Sequence, residues 1–283
     1  MYRYRFLRFP EGKFKAVTFS YDDGVKDDIR LAETLDRYGI KCTFNINNVS
    51  SNNKLTAEEI ERHILASGHE VAVHGMHHVA SGAASPLDCI KDAIYGREEL
   101  ERAFGRIIRG MAYPDSGIRI LANGNSYENV KASLTSLGIV YARTLGGDND
   151  DFKIPTDWHA WMPTAHHDNV SIMQYIEKFN GIKEANYKYP SGRWPRLFYL
   201  WGHSFEFSRK DNWDHLEEIC EQLSGQDDTW YATNMEIYEY VTAYNSLVTS
   251  VDGSMIHNPT LKTIWFVLDN DNYVIAPGET LKI

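Results

Sequence analysis

The 283-residue sequence has little cysteine, little proline and no long hydrophobic run. The 9 prolines and 20 glycines are too few for a collagen-like or low-complexity chain. Its three cysteines (Cys42, Cys89 and Cys220) are far apart and odd in number. This excludes a disulfide framework and favours buried free thiols in a reducing compartment. No apolar stretch approaches the roughly 20 residues that span a bilayer, so we expect no membrane insertion.

Positive charge is also scarce. The chain has 29 Lys and Arg against 39 Asp and Glu, a formal charge of −10, and lacks a basic run. Such a surface repels polyanions, so nucleic acid is not an expected partner. The N-terminus, MYRYRFLRFP, lacks the apolar stretch of a signal peptide. It predicts a cytoplasmic protein, or a secreted one if a leader has been removed, and leaves the oligomeric state undetermined.

The residues that are present describe a globular α/β protein. Hydrophobic residues make up 43% of the chain. Short apolar segments alternate with helical patterns, which favours parallel strands joined by right-handed crossovers. The segments are AVTF (16–19), KCTFNIN (41–47), HEVAVHG (69–75), IIRGMAYP (107–114), IVYARTL (139–145), RLFYLWGH (196–203) and TWYATN (229–234). About seven such units close a barrel, whereas fewer form an open sheet.

The pattern changes near residue 249. The segment TIWFVLDNDNYVIAPGETLKI predicts two short strands around a DNDN turn. We therefore expect residues 1–248 to form the α/β domain and residues 249–283 to form a small β appendage packed on it.

Chemically reactive residues follow the strand-like segments. Asp22 and Asp23 precede Gly24, and His74 and His78 lie four residues apart, which places both imidazoles on one face of a helical turn. Two histidines and one carboxylate form an open catalytic zinc set, and also a non-haem iron set. Taken singly, the motifs also fit a solvated acidic turn and a pair of surface histidines.

Three motifs together carry a resemblance to a known family. TFSYDDG, GHEVAVHGMHH and FYLWGH, in this order within roughly residues 14–245, resemble motifs of the polysaccharide deacetylases. These are metal-dependent carbohydrate esterases with a distorted (β/α) barrel. The resemblance implies that Asp22 is the catalytic base and His203 the general acid. It also implies that Asp23, His74 and His78 ligate the metal.

The resemblance extends to residues that contact substrate. Leu200 is expected to line the pocket for the acetyl methyl. Ala112-Tyr113-Pro114 resembles a variant third motif, in which a backbone N–H near Tyr113 stabilises the oxyanion. The family's arginine that orients the base has no counterpart in register, because Gly110 occupies its position and Arg109 lies one residue away. The partner of Asp22 therefore stays unassigned.

The long loop after Leu145 carries the remaining candidates. Asp157 and Trp158 match the Asp-Trp pair that forms a wall of the groove in the family. Trp161 is a candidate sugar platform, because aromatic faces stack on sugar rings. The alternative is a loop whose tryptophans fold inward as a hydrophobic plug. His167, with its neighbours His166 and Asp168, is a candidate for substrate contact or an additional ligand.

Together these features predict a hydrolase of non-peptide C–N amide bonds that removes acetyl groups from N-acetylated amino sugars or glycans. One divalent metal is expected, zinc in the first place, with Co2+, Ni2+, Mn2+ or Fe2+ as alternatives. The expected partner is an acetylated saccharide or glycoconjugate. Alternatives are an O-acetyl esterase or cyclic-amide hydrolase with the same metal centre, or a catalytically silent carbohydrate-binding protein. A phosphatase of the Asp-x-Asp type is excluded because the two aspartates are adjacent.

Overall fold

A computed structural model describes residues 4–47, 54–184 and 192–283. The strands are β1 (Arg5–Arg8), β2 (Lys15–Asp22), β3 (Cys42–Ile46), β4 (Glu70–Val73), β5 (Gly110–Ala112), β6 (Tyr141–Arg143), β7 (Ala165–His166), β8 (Arg196–Gly202), β9 (Thr229–Tyr231), β10 (Val248–Thr249), β11 (Met255–His257), β12 (Ile264–Leu268), β13 (Asp271–Ile275) and β14 (Thr280–Lys282). The helices are α1 (Asp27–Tyr38), α2 (Ala57–Ile60), α3 (Pro86–Phe104), α4 (Tyr127–Ser136), α5 (Ile172–Asn180), α6 (Phe205–Lys210), α7 (Trp213–Leu223) and α8 (Asn234–Asn245).

In the described part of the chain, the central sheet contains eight parallel strands. Seven of them follow the order β6-β5-β4-β3-β2-β8-β7, and β9 pairs with the first residues of β2, Lys15–Val17. Helices connect the strands and cover the outside of the sheet. This arrangement confirms the predicted distorted (β/α) barrel, with eight strands where the sequence pattern indicated about seven.

Local sequence signals explain where the elements begin and end. All eight residues of β2 are buried, as expected for a strand in the middle of a parallel sheet. Helix α1 ends at Gly39, whose φ of 65° is the left-handed conformation that glycine adopts at a helix end. Thr56 and Glu59 form a capping box at the start of α2.

The C-terminal segment forms two small antiparallel sheets. β12 and β13 make a hairpin, which confirms the two predicted strands, and β10, β11 and β14 make the second sheet. The first strand, β1, pairs with β12 although it lies in the range assigned to the barrel domain. Ile264 and Phe266 pack with Tyr240 of α8 in a hydrophobic cluster, which attaches the segment to the barrel. The boundary between residues 248 and 249 stays a prediction.

All three cysteines are buried and free. This burial agrees with the expectation drawn from their spacing. Within residues 4–47, 54–184 and 192–283, the helices are too short or too polar to cross a membrane.

Candidate metal centre and active site

The barrel brings the candidate residues to one end. Asp22 is the last residue of β2, His74 follows β4, and His203 follows β8. Because these strands are parallel, their carboxyl ends lie on the same face of the barrel, where the loops of such folds build active sites. The topology therefore gathers residues that are up to 181 positions apart in the sequence.

The three predicted metal ligands converge. The ligand atoms of Asp23, His74 and His78 all lie within 4.8 Å of one another. Asp23 Oδ1 is 4.0 Å from His74 Nε2 and 3.8 Å from His78 Nε2. His78 is 40% exposed, so one side of the set faces solvent. Two imidazoles and a carboxylate with an open side suit a divalent metal that also binds water.

The backbone and the surrounding groups orient these ligands. His74 Nδ1 lies 3.0 Å from the carbonyl oxygen of Ala112, which can only accept a hydrogen bond. Nδ1 therefore carries the ring proton and Nε2 keeps the lone pair that binds a metal. Asp23 has a φ of 85°, unusual for a residue other than glycine, and with this bend the carboxylates of Asp22 and Asp23 both lie within 4.0 Å of His74 Nε2.

A buried carboxylate on α3 shapes the loop between the two histidine ligands. Asp92 accepts hydrogen bonds from the backbone N–H groups of His77 (2.6 Å) and Val79 (3.3 Å), which flank His78. A Cβ atom on Gly75 would lie 2.1 Å from Asp92 Oδ2, so only glycine fits at that position of the loop. Asp92 therefore positions His78 without contacting the metal site.

Asp92→Asn is expected to weaken Zn2+ binding by about 10- to 100-fold. The amide places an NH2 group against a backbone N–H, and the loop must shift to avoid that contact. The dissociation constant can be measured by competition with a chromophoric chelator. Glu98→Gln is the matched control, since Glu98 lies on the surface of the same helix and pairs with Arg102. Equal affinities in the two variants would show that Asp92 does not position the ligand.

Asp22 lies beside the metal ligands and is nearly buried. Its Oδ2 accepts a hydrogen bond from Arg143 (2.5 Å) and lies 3.8 Å from His74 Nε2, while Oδ1 accepts one from Asn45 (2.8 Å). Burial alone would raise the pKa of Asp22, but the Arg143 guanidinium, with smaller contributions from His74 and His203, outweighs it and lowers the pKa. Asp22 is therefore held ionised, as a general base requires.

Arg143 is the residue that the sequence analysis did not find. It ends β6, is completely buried, and its guanidinium lies 4.4 Å from the ring centre of Trp201. Arg109 is exposed, and the arginine that pairs with Asp22 is Arg143, which lies on the neighbouring strand β6. This explains why the third motif has no arginine in register. The available signal was an arginine at the carboxyl end of the apolar segment IVYARTL.

His203 has a carboxylate partner three residues further along the chain. Its Nδ1 is 3.5 Å from Glu206 Oε2, at the first turn of α6. Burial would lower the pKa of His203, but the negative charges of Glu206 and Asp22 raise it. Because Nδ1 faces the carboxylate, Nε2 is left free for a proton transfer. The i, i+3 spacing of His203 and Glu206 was visible in the sequence.

Two predicted substrate contacts, Leu200 and the backbone N–H of Tyr113, are not supported by the geometry of this conformation. Leu200 is wholly buried in the core, so it cannot line an acetyl pocket. Trp201, the next residue, alternates to the other face of β8 and is partly exposed, with its ring 6.0 Å from that of His203. The backbone N–H of Tyr113 donates to the Arg143 carbonyl oxygen at 3.0 Å, so it is not free to stabilise an oxyanion.

The tryptophans of the long loop pack inward, although the backbone of Trp161 pairs with Arg143, the partner of Asp22. Trp161 is completely buried, and the ring of Trp158 meets it edge-on at 4.8 Å, which matches the hydrophobic plug. Trp158 lines a cavity with Arg196, the first residue of β8, whereas His203 follows the end of that strand. Trp161 is buried and Trp158 lines a cavity that contains none of the metal ligands, so the place of both residues in a substrate groove stays a prediction.

The two other loop candidates serve packing and local hydrogen bonds. Asp157 accepts hydrogen bonds from Tyr127 Oη and Lys131 Nζ, both at 2.7 Å, and is thereby tied to α4. Its predicted role as a wall of the groove stays a prediction. His167 is completely buried, and its ring stacks on Phe207 at 4.2 Å, so direct substrate contact is excluded in this conformation.

Comparisons with known proteins agree with this geometry. A polysaccharide deacetylase family model matches residues 7–141. No curated protein matches. Among solved structures, a candidate polysaccharide deacetylase from Mycobacterium smegmatis superimposes with a TM-score of 0.55 at 19% identity, over 84% of this chain and 94% of that chain.

Two further structures have similar folds. The Xyl-CE4 domain of a multidomain xylanase, from a hindgut metagenome of Trinervitermes trinervoides, gives a TM-score of 0.51 at 19% identity, over 82% of this chain and 92% of that chain. PuuE allantoinase gives 0.54 at 11% identity, over 82% and 91%. At these identities the likeness shows the fold. The fold is that of the carbohydrate esterases with a distorted barrel. The polysaccharide deacetylase family model covers residues 7–141, slightly less than half of the chain, so over this range the sequence is similar to that family.

Proposed function

We propose that the protein is a metal-dependent hydrolase that removes acetyl groups from N-acetylated amino sugars or glycans. The observation that carries the proposal is the convergence of Asp23, His74 and His78 within 4.8 Å, with Asp22 Oδ2 3.8 Å from His74 Nε2. This places a paired, ionised carboxylate beside an open set of metal ligands. The match of a polysaccharide deacetylase family model to residues 7–141 supports a carbohydrate substrate.

Zinc is the first choice of metal for this donor set, since two imidazoles and one carboxylate form a recognised catalytic zinc site. Co2+, Ni2+, Mn2+ and Fe2+ accept the same ligands. A divalent ion bound there polarises the acyl carbonyl and lowers the pKa of a coordinated water to about 7.

Two side chains move the protons. Asp22, held ionised by Arg143, accepts a proton from the attacking water as the water oxygen forms a bond to the acyl carbon. When the C–N bond breaks, the leaving nitrogen needs a proton, and His203 in its cationic form donates one from Nε2. The products are acetate and the free amine. The raised pKa of His203 keeps its proton available near neutral pH.

A second candidate is the hydrolysis of a cyclic amide. The fold similarity to PuuE allantoinase, with a TM-score of 0.54, favours keeping this alternative. Both reactions break an amide C–N bond and use the same base and acid, but only deacetylation releases acetate. A silent carbohydrate-binding protein is less well supported, because a complete acid, base and metal-ligand set is present.

The test is acetate release from a panel of N- and O-acetylated saccharides, with a cyclic amide as comparison. We expect N-acetylated saccharides to be cleaved, the activity to fall below about 1% after chelation, and Zn2+ to restore it. Full activity in the chelated protein would contradict metal dependence. Turnover of the cyclic amide alone would replace the deacetylase assignment with the second candidate.

A further inference from the structure

A second group of metal-ligating side chains lies next to the active site. It consists of His166, His167 and Asp168 at and after β7, and Glu206 in α6. Their ligand atoms are all within 4.8 Å of one another, and none of them belongs to the set formed by Asp23, His74 and His78. The pairing of β7 with β8 brings the first three to Glu206, which follows β8.

The distances within this group match those of a four-ligand metal site. Ligand atoms about 2.0–2.1 Å from a tetrahedral ion are about 3.3 Å from one another. Glu206 Oε2 lies 3.1 Å from His166 Nε2 and 3.3 Å from His167 Nε2, and His167 Nε2 lies 3.4 Å from Asp168 Oδ2. Three of the distances between ligand atoms are therefore close to those expected around a bound tetrahedral ion.

His167 supplies an independent observation. Its side chain is completely buried, and its Nε2 has no hydrogen-bond partner although two carboxylate oxygens are nearby. The ring is fixed between Tyr21 and Phe207, with centroid distances of 5.7 and 4.2 Å, and it occupies the space that a Cβ of residue Gly202 would fill. A buried nitrogen without a partner is costly unless it binds something.

Charge and access also fit a divalent cation. Two carboxylates balance its charge, and the half-exposed Lys210, which now contacts Asp168 Oδ2, can return to solvent. His166 Nδ1 accepts the N–H of Asp168 at 3.1 Å, so this hydrogen bond must break and the ring proton must move to Nδ1 before Nε2 can ligate. A cavity of about 210 Å³ reaches His166 and Asp168 from outside and provides an entry path.

We propose that His166, His167, Asp168 and Glu206 form a second divalent-metal site of the zinc class, and that its occupation inhibits the enzyme. Inhibition, which rests on the proposed function, follows because Glu206 Oε2 is also the partner of His203 Nδ1 at 3.5 Å. An ion that takes this oxygen leaves His203 without its carboxylate and adds positive charge beside it. The site is closed by four protein ligands, so it binds an ion without offering a position for water.

The experiment is a Zn2+ titration of the chelator-stripped full chain by equilibrium dialysis and elemental analysis. We expect two equivalents, the second binding more weakly because Lys210 must be displaced. The double variant His166→Gln, Asp168→Asn should bind one equivalent, while Asp148→Asn, which changes another carboxylate lining the cavity, should keep two. Thermal melting of each variant checks that it folds, and the single equivalent retained by the double variant shows that its first site is intact.

The same titration separates this inference from the proposed function. A His74→Ala, His78→Ala variant should keep one equivalent at the second site while acetate release is lost. In the unaltered protein, acetate release should rise with the first equivalent of Zn2+ and fall at least about 10-fold with the second. The His166→Gln, Asp168→Asn variant should not show this fall. One equivalent in the unaltered protein, or two in that variant, overturns the second site. Two equivalents without a fall in activity overturn its inhibitory role.

Discussion

Replacing Arg143 with methionine is expected to lower acetate release at neutral pH by about 100-fold, as expected when a general base is impaired. Arg143 is the largest influence that keeps the pKa of Asp22 low against burial. Without it, burial dominates and the pKa rises. A general base works only when deprotonated, so the acid limb of the pH–rate profile should move to higher pH.

The control for this experiment is Arg109→Met, which removes an exposed arginine just before the neighbouring strand β5 and should leave the profile unchanged. Breaking a buried ion pair costs about 3–5 kcal/mol, so the melting temperature of Arg143→Met must be recorded as well. Arg143→Lys keeps the positive charge and should recover part of the activity and of the profile. An unshifted acid limb in a folded Arg143→Met protein would show that Arg143 does not tune Asp22.

Asp22→Asn is expected to reduce turnover by about 1,000-fold while leaving the metal content unchanged. The amide has nearly the shape of the carboxylate, but it cannot accept the proton of the attacking water. The predicted metal ligand in this motif is the next residue, Asp23, whose carboxylate points to the two histidines. Elemental analysis and acetate release, measured on the same preparation, test both parts of the statement.

Asp27→Asn is a matched control for Asp22→Asn, because it makes the same chemical change in α1, where the carboxylate accepts a hydrogen bond from Ser208. It should retain turnover close to that of the unaltered protein. Substantial turnover by Asp22→Asn would assign the base to another residue. Loss of metal from that variant would mean that Asp22 is itself a ligand.

Much of the fold could be predicted from local patterns. Alternating apolar and helical segments indicated parallel strands with crossover helices, and the DNDN segment indicated the hairpin of β12 and β13. These features depend on residues that are close in sequence. The pairing of β1 with β12 could not be predicted in this way, because its partners lie more than 250 positions apart and no local signal joins them.

In the candidate site, too, local motifs could be recognised in the sequence and contacts between distant elements could not. Asp22, Asp23, His74, His78 and His203 were found because each lies in a short motif at the end of a strand. Arg143 and Asp92 were not found, since each acts on a motif from another element. For Trp161 the sequence left two alternatives open, because an aromatic residue in a polar loop looks the same in sequence whether it faces substrate or the core.

The sequence by itself determined which side chains can bind a metal, accept a proton or donate one. The three-dimensional packing decided which arginine stands beside Asp22, which tryptophan faces the site, and which histidine loses its hydrogen-bond partner. The reason is physical: the type of a side chain fixes its chemistry, whereas its burial, charge partners and direction depend on neighbours that only the folded barrel brings into contact.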